Sequence, residues 1–260
     1  MGWCYGTIQN CHNKNTTVIT KGNSNLYFIG GIVGFMNNST TINECSNTGT
    51  IISNKGTGVG GVIGNANSSC AIKKCNNNGW VSGLDRVGGI IGQIGKSCEI
   101  SECNNNSYIE SFTRCGGIVG YANQSGTIAS CNNKGKITTK NAYVGGIVGT
   151  TSSLFRIEEC SNEGIITGEN KYAGGIVGYI SPVITDTGLN IVLKCMNKGI
   201  LQGEDSVGGI AGCIAAANGI SKTKVEKCYN TASISGSKKI GGITGDIAGD
   251  IRTRNSNTML

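Results

Sequence analysis

The chain has 260 residues, of which 43 are Gly, 13 are Cys and one is Pro, and only 5% are aromatic. So little bulky side-chain volume excludes a thick globular core, whereas a repeat array grows along one axis and needs only a thin one. The formal charge of +7, from 22 Lys and Arg against 15 Asp and Glu, carries no run of one sign, which reads as solvated surface and not as a nucleic-acid-binding face.

Taken in chain order, Met1 to Asn10 lack the basic start and apolar run of a secretory signal. Gly6-Thr7-Ile8 and Cys11 match Gly126-Thr127-Ile128 and Cys131, which sets Met1 in register with Tyr121. The chain therefore reads as a piece of a longer solenoid with flanking domains, residues 1–28 being an incomplete first coil. His12 is the single histidine, and it stands where Ser46, Asn76 and Asn132 stand in other coils. A variable corner position is the plain reading of it. No His-based triad or zinc hydrolase site can be assembled around it without importing residues from another chain.

From Ile29 onward a glycine pair recurs at Gly30, Gly60, Gly88, Gly116, Gly145, Gly174, Gly208 and Gly241, and Cys-x-Asn recurs with it. Gly30 to Cys45 is fifteen residues, and the same fifteen separate Gly60 from Cys75, Gly88 from Cys103, Gly116 from Cys131 and Gly145 from Cys160. The unit Val87 to Ser111 holds three extended segments: Val87 to Gly92, Cys98 to Cys103, and the stretch around Tyr108 and Ile109. Between them lie polar corners. Apolar positions do not follow a 3.6 period and glycine interrupts every segment, so helix is excluded. The pattern predicts an all-β, right-handed parallel β-solenoid (β-helix) of about eight coils of 28–35 residues, three short strands per coil, in one array over residues 1–260.

Gly30 and its equivalents are expected at positive φ, and Gly31 and Gly34 where backbone layers approach closely. Asn13, Asn47, Asn77, Asn105, Asn133, Asn162, Asn197 and Asn230 share one register. A stacked amide donates one way and accepts from the other, so these are expected to form a ladder that satisfies buried corner groups. Gly49, Gly79, Gly135, Gly164 and Gly199, two residues further on, suit left-handed turn positions. A phosphate-cradling loop needs a helix after its glycines; here Ile-Val-Gly follows.

Cys45, Cys75, Cys103, Cys131, Cys160, Cys195 and Cys228 form a second structural ladder with Cys11. In-register stacking at ~4.8 Å is longer than the ~3.8 Å Cβ separation of a disulfide, which favours buried free thiols. Cys115 takes a place held elsewhere by Val59, Val87 and Val144, as an apolar filler. Cys70 and Cys98 share another register and are the pair to expect in any disulfide. No Cys-x-x-Cys occurs, so no metal is predicted, and no cofactor.

Regularity breaks in two coils, where Gly174 to Cys195 and Gly208 to Cys228 span 21 and 20 residues. Insertions in solenoids become loops on one face, often the binding face. Ser181, Pro182, Asp186, Asn218 and Lys222 are thus the candidate contact residues. Acid pairs such as Glu158-Glu159, Glu204-Asp205 and Asp246 with Asp250 are spaced like corner residues, and residues 246–260 read as a frayed or capping segment. No run of apolar residues reaches the ~18 that insertion into a membrane requires.

With these residues in place, the chain over Ile29 to Gly245 resembles the bacterial GLUG-motif repeats. Their pattern is matched by Gly116-Gly117-Ile118-Val119-Gly120, Ile128, Cys131-Asn132-Asn133-Lys134-Gly135 and Ile137. The resemblance implies a secreted or cell-surface location and an adhesin-like stalk or binding segment whose partner is a host glycan or matrix protein. It carries over no catalytic residue, so the expected protein is not an enzyme. The alternative reading, from the architecture, is a carbohydrate-active β-helix, either a polysaccharide hydrolase or a lyase.

Overall fold

The computed structural model describes residues 3–4, 6–20, 27–152, 154–183, 188–216 and 222–249, and among these the only regular structure is short β-strands. The strands pair in parallel, each with its equivalent one coil away, and build a right-handed β-solenoid of about seven turns. β-Branched Ile and Val at alternate positions suit a pleated half-buried surface, and glycine at fixed points denies a helix its continuity.

Each coil passes through four faces where three segments were expected. The first face holds Val33–Met36, Ile63–Ala66, Ile91–Ile94 and their successors; the second holds Thr41–Asn43, Ala71–Lys73 and Cys98–Ser101. The third consists of two-residue strands such as Asn76–Asn77 and Asn104–Asn105. The fourth holds Thr50–Gly60, Val81–Gly88 and Ile109–Gly116, and in the next coil it divides into Ile137–Thr139 and Ala142–Gly145. The glycine pair is a corner: Val87 and Gly88 finish the fourth face and Ile91 begins the first, so the single segment Val87 to Gly92 is bent in two.

Register is strict. Ile63, Ile91 and Val119 align on the first face, Ile72, Ile100 and Ile128 on the second, and Val81, Ile109 and Ile137 on the fourth. Two buried clusters result. One fills the space behind the first three faces, with Ile91, Ile100 and Cys103; the other lines the fourth, with Val81, Val87, Ile109 and Cys115. Full burial of each Ile or Val contributes roughly 1.5–3 kcal/mol, and the repetition of one apolar set in every coil makes any slip expose a whole row.

The glycines work by size and not by handedness. Among the described glycines only Gly6, Gly58 and Gly188 have positive φ, so the left-handed assignment of Gly30 and of the Gly49 series is corrected. A Cβ on Gly60 would lie 1.9 Å from Ile63 O, and one on Gly79 would lie 1.9 Å from Gly49 O in the coil below. Left-handed backbone falls instead on the residue before each ladder cysteine, Asn10, Glu44, Lys74, Glu102, Ser130, Glu159, Lys194 and Lys227, with φ between 51° and 56°. It falls also two residues before the glycine pair, at Arg86, Arg114, Tyr143 and Tyr172. Each such corner costs roughly 1–2 kcal/mol, borne by the ladders that close on either side.

At the amino-terminal end, Trp3 pairs with Phe35 and so takes the register of Tyr121 that was expected for Met1. The corner there is two residues shorter than in later coils. At the other end Thr244–Gly249 continues the first face beside Ala211–Ala216. Residues 250–260, which include Asp250, lie outside the described residues.

Candidate functional site

The two inner ladders are closed on themselves. The Nδ2 of each ladder asparagine donates to the Oδ1 of the next coil: Asn77 to Asn105 at 2.9 Å, Asn105 to Asn133 at 2.8 Å, Asn133 to Asn162 at 2.7 Å and Asn162 to Asn197 at 2.8 Å. The same row reaches Asn13 and Asn47 below and Asn230 above. Its second amide hydrogen goes to the carbonyl two residues on, as from Asn133 to Gly135 O at 2.9 Å. With every polar atom used inside the corner, this row has nothing left to offer a ligand.

The ladder cysteines are free thiols; Cys45, Cys75, Cys103, Cys131, Cys160 and Cys195 are buried, Cys228 is partly so and Cys11 is exposed. Each donates to the carbonyl two residues back, Cys103 to Ser101 O at 3.3 Å and Cys195 to Leu193 O at 3.3 Å. Cys70 and Cys98 are free and buried as well, and hydrogen bonding with Cys98 lowers Cys70 to about 7. Burial pushes the Cys115 thiol well up, and Cys213 to about 11. Thiols pushed up in this way, as at Cys115 and Cys213, stay neutral and behave as small apolar side chains.

Of the expected contact residues, Asp186 and Asn218 lie outside the described residues. Ser181 and Lys222 are brought to one residue, Asn190: its Nδ2 donates to Ser181 O at 3.0 Å, and its backbone N donates to Lys222 O at 2.8 Å. Pro182 is half-buried beside them. Asn190 Oδ1 also accepts from Phe155 N at 3.0 Å. The contacts therefore anchor the entry and exit of the long coil.

A surface built for contact stands elsewhere, on the outside of the fourth face. Side chains alternate in and out along a strand, so Trp80, Ser82 and Leu84 point outward from one coil, and Tyr108, Glu110 and Phe112 from the next. Together they make a groove along the solenoid axis. Trp80 forms one wall, backed by Tyr108 of the next coil, their rings 6.4 Å apart and 15° from parallel. Leu84 and Phe112 form the other, with Ser82 and Glu110 as the floor, around a cavity of ≈ 360 Å³. Trp80 is 37% exposed, Leu84 38% and Phe112 49%, and the three come together around one hollow.

Local sequence closes the groove at each end. Between the register pairs Gly83 with Ser53 and Asp85 with Thr57, the lower coil carries additional residues, and Asn54 bulges outward there. At the upper end Lys140 Nζ lies 3.6 Å from Glu110 Oε1, and Lys136 Nζ sits 5.9 Å from the Tyr108 ring centroid. The groove is thus charge-paired where it is charged at all.

A second outward row follows the corner between the fourth and first faces. Tyr143, Tyr172 and Tyr179 pack with centroids 5.1 to 5.4 Å apart. Arg86 and Arg114 both lie 5.3 Å from the Tyr121 ring. Arg114 Nε donates to Asp85 Oδ1 at 2.7 Å, and Arg86 Nη1 to Gln93 Oε1 at 2.6 Å. These cations are spoken for, and the row ties coil to coil.

The remaining titratable groups flagged by sequence are likewise engaged. His12 Nδ1 is 2.8 Å from Ser46 Oγ; Glu158 pairs with Arg156 at 2.7 Å, Glu159 with Lys194 at 3.0 Å and Asp246 with Lys239 at 2.8 Å. Asp205 accepts from Ser206 Oγ at 3.0 Å. Among the described residues no three His, Cys, Asp or Glu side chains gather as metal ligands. Coil length after the glycine pair, on which the expected contact residues rest, does not mark the groove. Its signal lay before the pair: eleven residues from Gly49 to Gly60 against nine from Gly79 to Gly88, and aromatics at outward positions held by Thr50 and Lys136 in flanking coils. Comparison with protein-family models, with curated proteins and with solved structures gave no match.

Proposed function

We propose that the chain is a noncatalytic repeat scaffold of the bacterial cell surface, an adhesin-like stalk or binding segment that offers the fourth-face groove to a host glycan or matrix protein. The observation that carries this reading is the division of labour between inside and outside. The Asn and Cys ladders consume their own polar groups in stacking, and the exposed Trp80, Leu84 and Phe112 come together over one charge-paired groove. The resemblance to GLUG repeats supports the surface location. A glycoside hydrolase calls for two carboxyl groups within roughly 5–10 Å, whereas Glu110 is the one acid lining the groove.

Beads coated with the chain should adhere to epithelial monolayers or to deposited extracellular matrix, and beads carrying Trp80→Thr with Phe112→Asn should not. Equal adhesion by both, or by neither, would sink this reading. Release of reducing ends or unsaturated sugars from a polysaccharide panel would favour the carbohydrate-active alternative.

A further inference from the structure

We propose that the groove between Trp80 and Leu84–Phe112 binds a linear neutral glycan lying along the solenoid axis. The inference rests on the binding reading above and names the ligand class for that same site. Three features of the groove select a sugar chain.

The walls are apolar and partly aromatic while the floor is polar. Pyranose rings have the matching division, with C–H groups on their faces and hydroxyls around their rims. Aromatic side chains supply large contact area of fixed orientation, and Ser82, Asn54 and Glu110 supply hydrogen-bonding groups where the rims would lie. Glu110 can accept from two vicinal hydroxyls, and Lys140 can donate to a third.

The charges point to a neutral ligand. Lys140 is paired with Glu110 and Lys136 sits over the Tyr108 ring, so an acidic polymer would have to compete with a carboxylate and an aromatic ring for the two ammoniums near the groove. Phosphate-bearing and uronate-bearing chains are therefore disfavoured relative to neutral ones.

The backbone disfavours an extended peptide. Val81–Gly88 is bonded on one side to Thr50–Gly60 and on the other to Ile109–Gly116, so the floor of the groove has no free sheet edge onto which a strand could add. A flexible polymer held by side chains alone is what this surface accommodates.

The test uses the full chain, titrated with cellohexaose, chitohexaose and mannohexaose, and with hyaluronan as the anionic comparison, by calorimetry and by Trp fluorescence. Binding of at least one neutral hexasaccharide is expected, stronger than that of hyaluronan. Trp80→Thr, which installs the residue of the preceding coil, should weaken it at least about tenfold, as should Phe112→Asn. Ile200→Thr, on the same outward row but beyond the groove, should leave affinity unchanged, and circular dichroism of all three should match the parent. No neutral hexasaccharide bound, hyaluronan preferred, or affinity indifferent to Trp80→Thr and Phe112→Asn would each overturn the proposal. If in those cases the chain still captures immobilised fibronectin or collagen and Trp80→Thr abolishes the capture, the sugar assignment fails and the binding reading stands; if neither sugar nor protein binds through the groove, both fail together.

Discussion

Arg114 grips Asp85 of the coil below, its Nε on Oδ1 at 2.7 Å and its Nη2 on Oδ2, while Arg86 Nε lies 3.4 Å from the same carboxylate. One acid thus holds two guanidiniums at a left-handed corner. Asp85→Ala leaves both cations partly buried without it and is expected to cost about 2 kcal/mol, discounted for their partial exposure. Arg114→Lys keeps the charge but loses the fork, and should cost about half as much. Urea unfolding of the two variants measures this, and a smaller loss for Asp85→Ala than for Arg114→Lys would contradict the assignment.

Removing one amide from the inner row should be felt on both sides of it. Asn133→Ala leaves Asn105 Nδ2, Asn162 Oδ1 and Gly135 O short of a partner in a buried corner, at about 1–3 kcal/mol for each group. A loss of at least about 3 kcal/mol is expected. Asn230→Ala, at a partly exposed member of the row with Asn197 as its ladder neighbour, should cost less than half of that. Equal costs for the two would argue against a cooperative row.

Glycine size can be tested with its own control. A Cβ on Gly117 would lie 2.2 Å from Gly146 O and 2.5 Å from Asn133 Cγ, whereas one on Gly242, the same register in the last coil, meets nothing within 4 Å. Gly117→Ala should cost about 3 kcal/mol or prevent folding, and Gly242→Ala should stay within about 0.5 kcal/mol of the parent. Thermal melts of both decide the matter.

Alkaline stability should depend on Cys115. Burial raises its thiol pKa in the folded chain, so its contribution is fully present below the unfolded value of about 8.5 and is lost as pH rises from there through the raised folded value. Relative to Cys115→Val, which installs the residue of neighbouring coils, the parent should lose about 2 kcal/mol between pH 7 and pH 10. A difference between the two proteins that does not change with pH would refute this.

The architecture was legible because one register repeats: Ile72, Ile100 and Ile128 can bury together only if each coil lies on the last. The amide row was legible for the same reason. Backbone handedness was not, because the residues that carry it, Lys74, Glu102 and Tyr143 among them, belong to types that ordinarily avoid positive φ. Gly60 and Gly79 attracted the assignment through composition, while their real constraint is the approach of the neighbouring coil. The groove was hidden for a third reason. It is formed by residues 28 apart, such as Leu84 and Phe112, whose meeting follows from coil stacking and from no local motif.

The amide row also has a direction: in every bond the donor belongs to the earlier coil and the acceptor to the later one. A whole coil can therefore be inserted or removed anywhere along it and the chain of donors heals without a mismatch, while a fraction of a coil breaks it. Gene duplication acting on such a sequence changes length in whole coils, each adding about 4.8 Å of reach. The groove, confined to neighbouring coils, rides along unchanged, so how far the protein extends and what it holds can evolve separately.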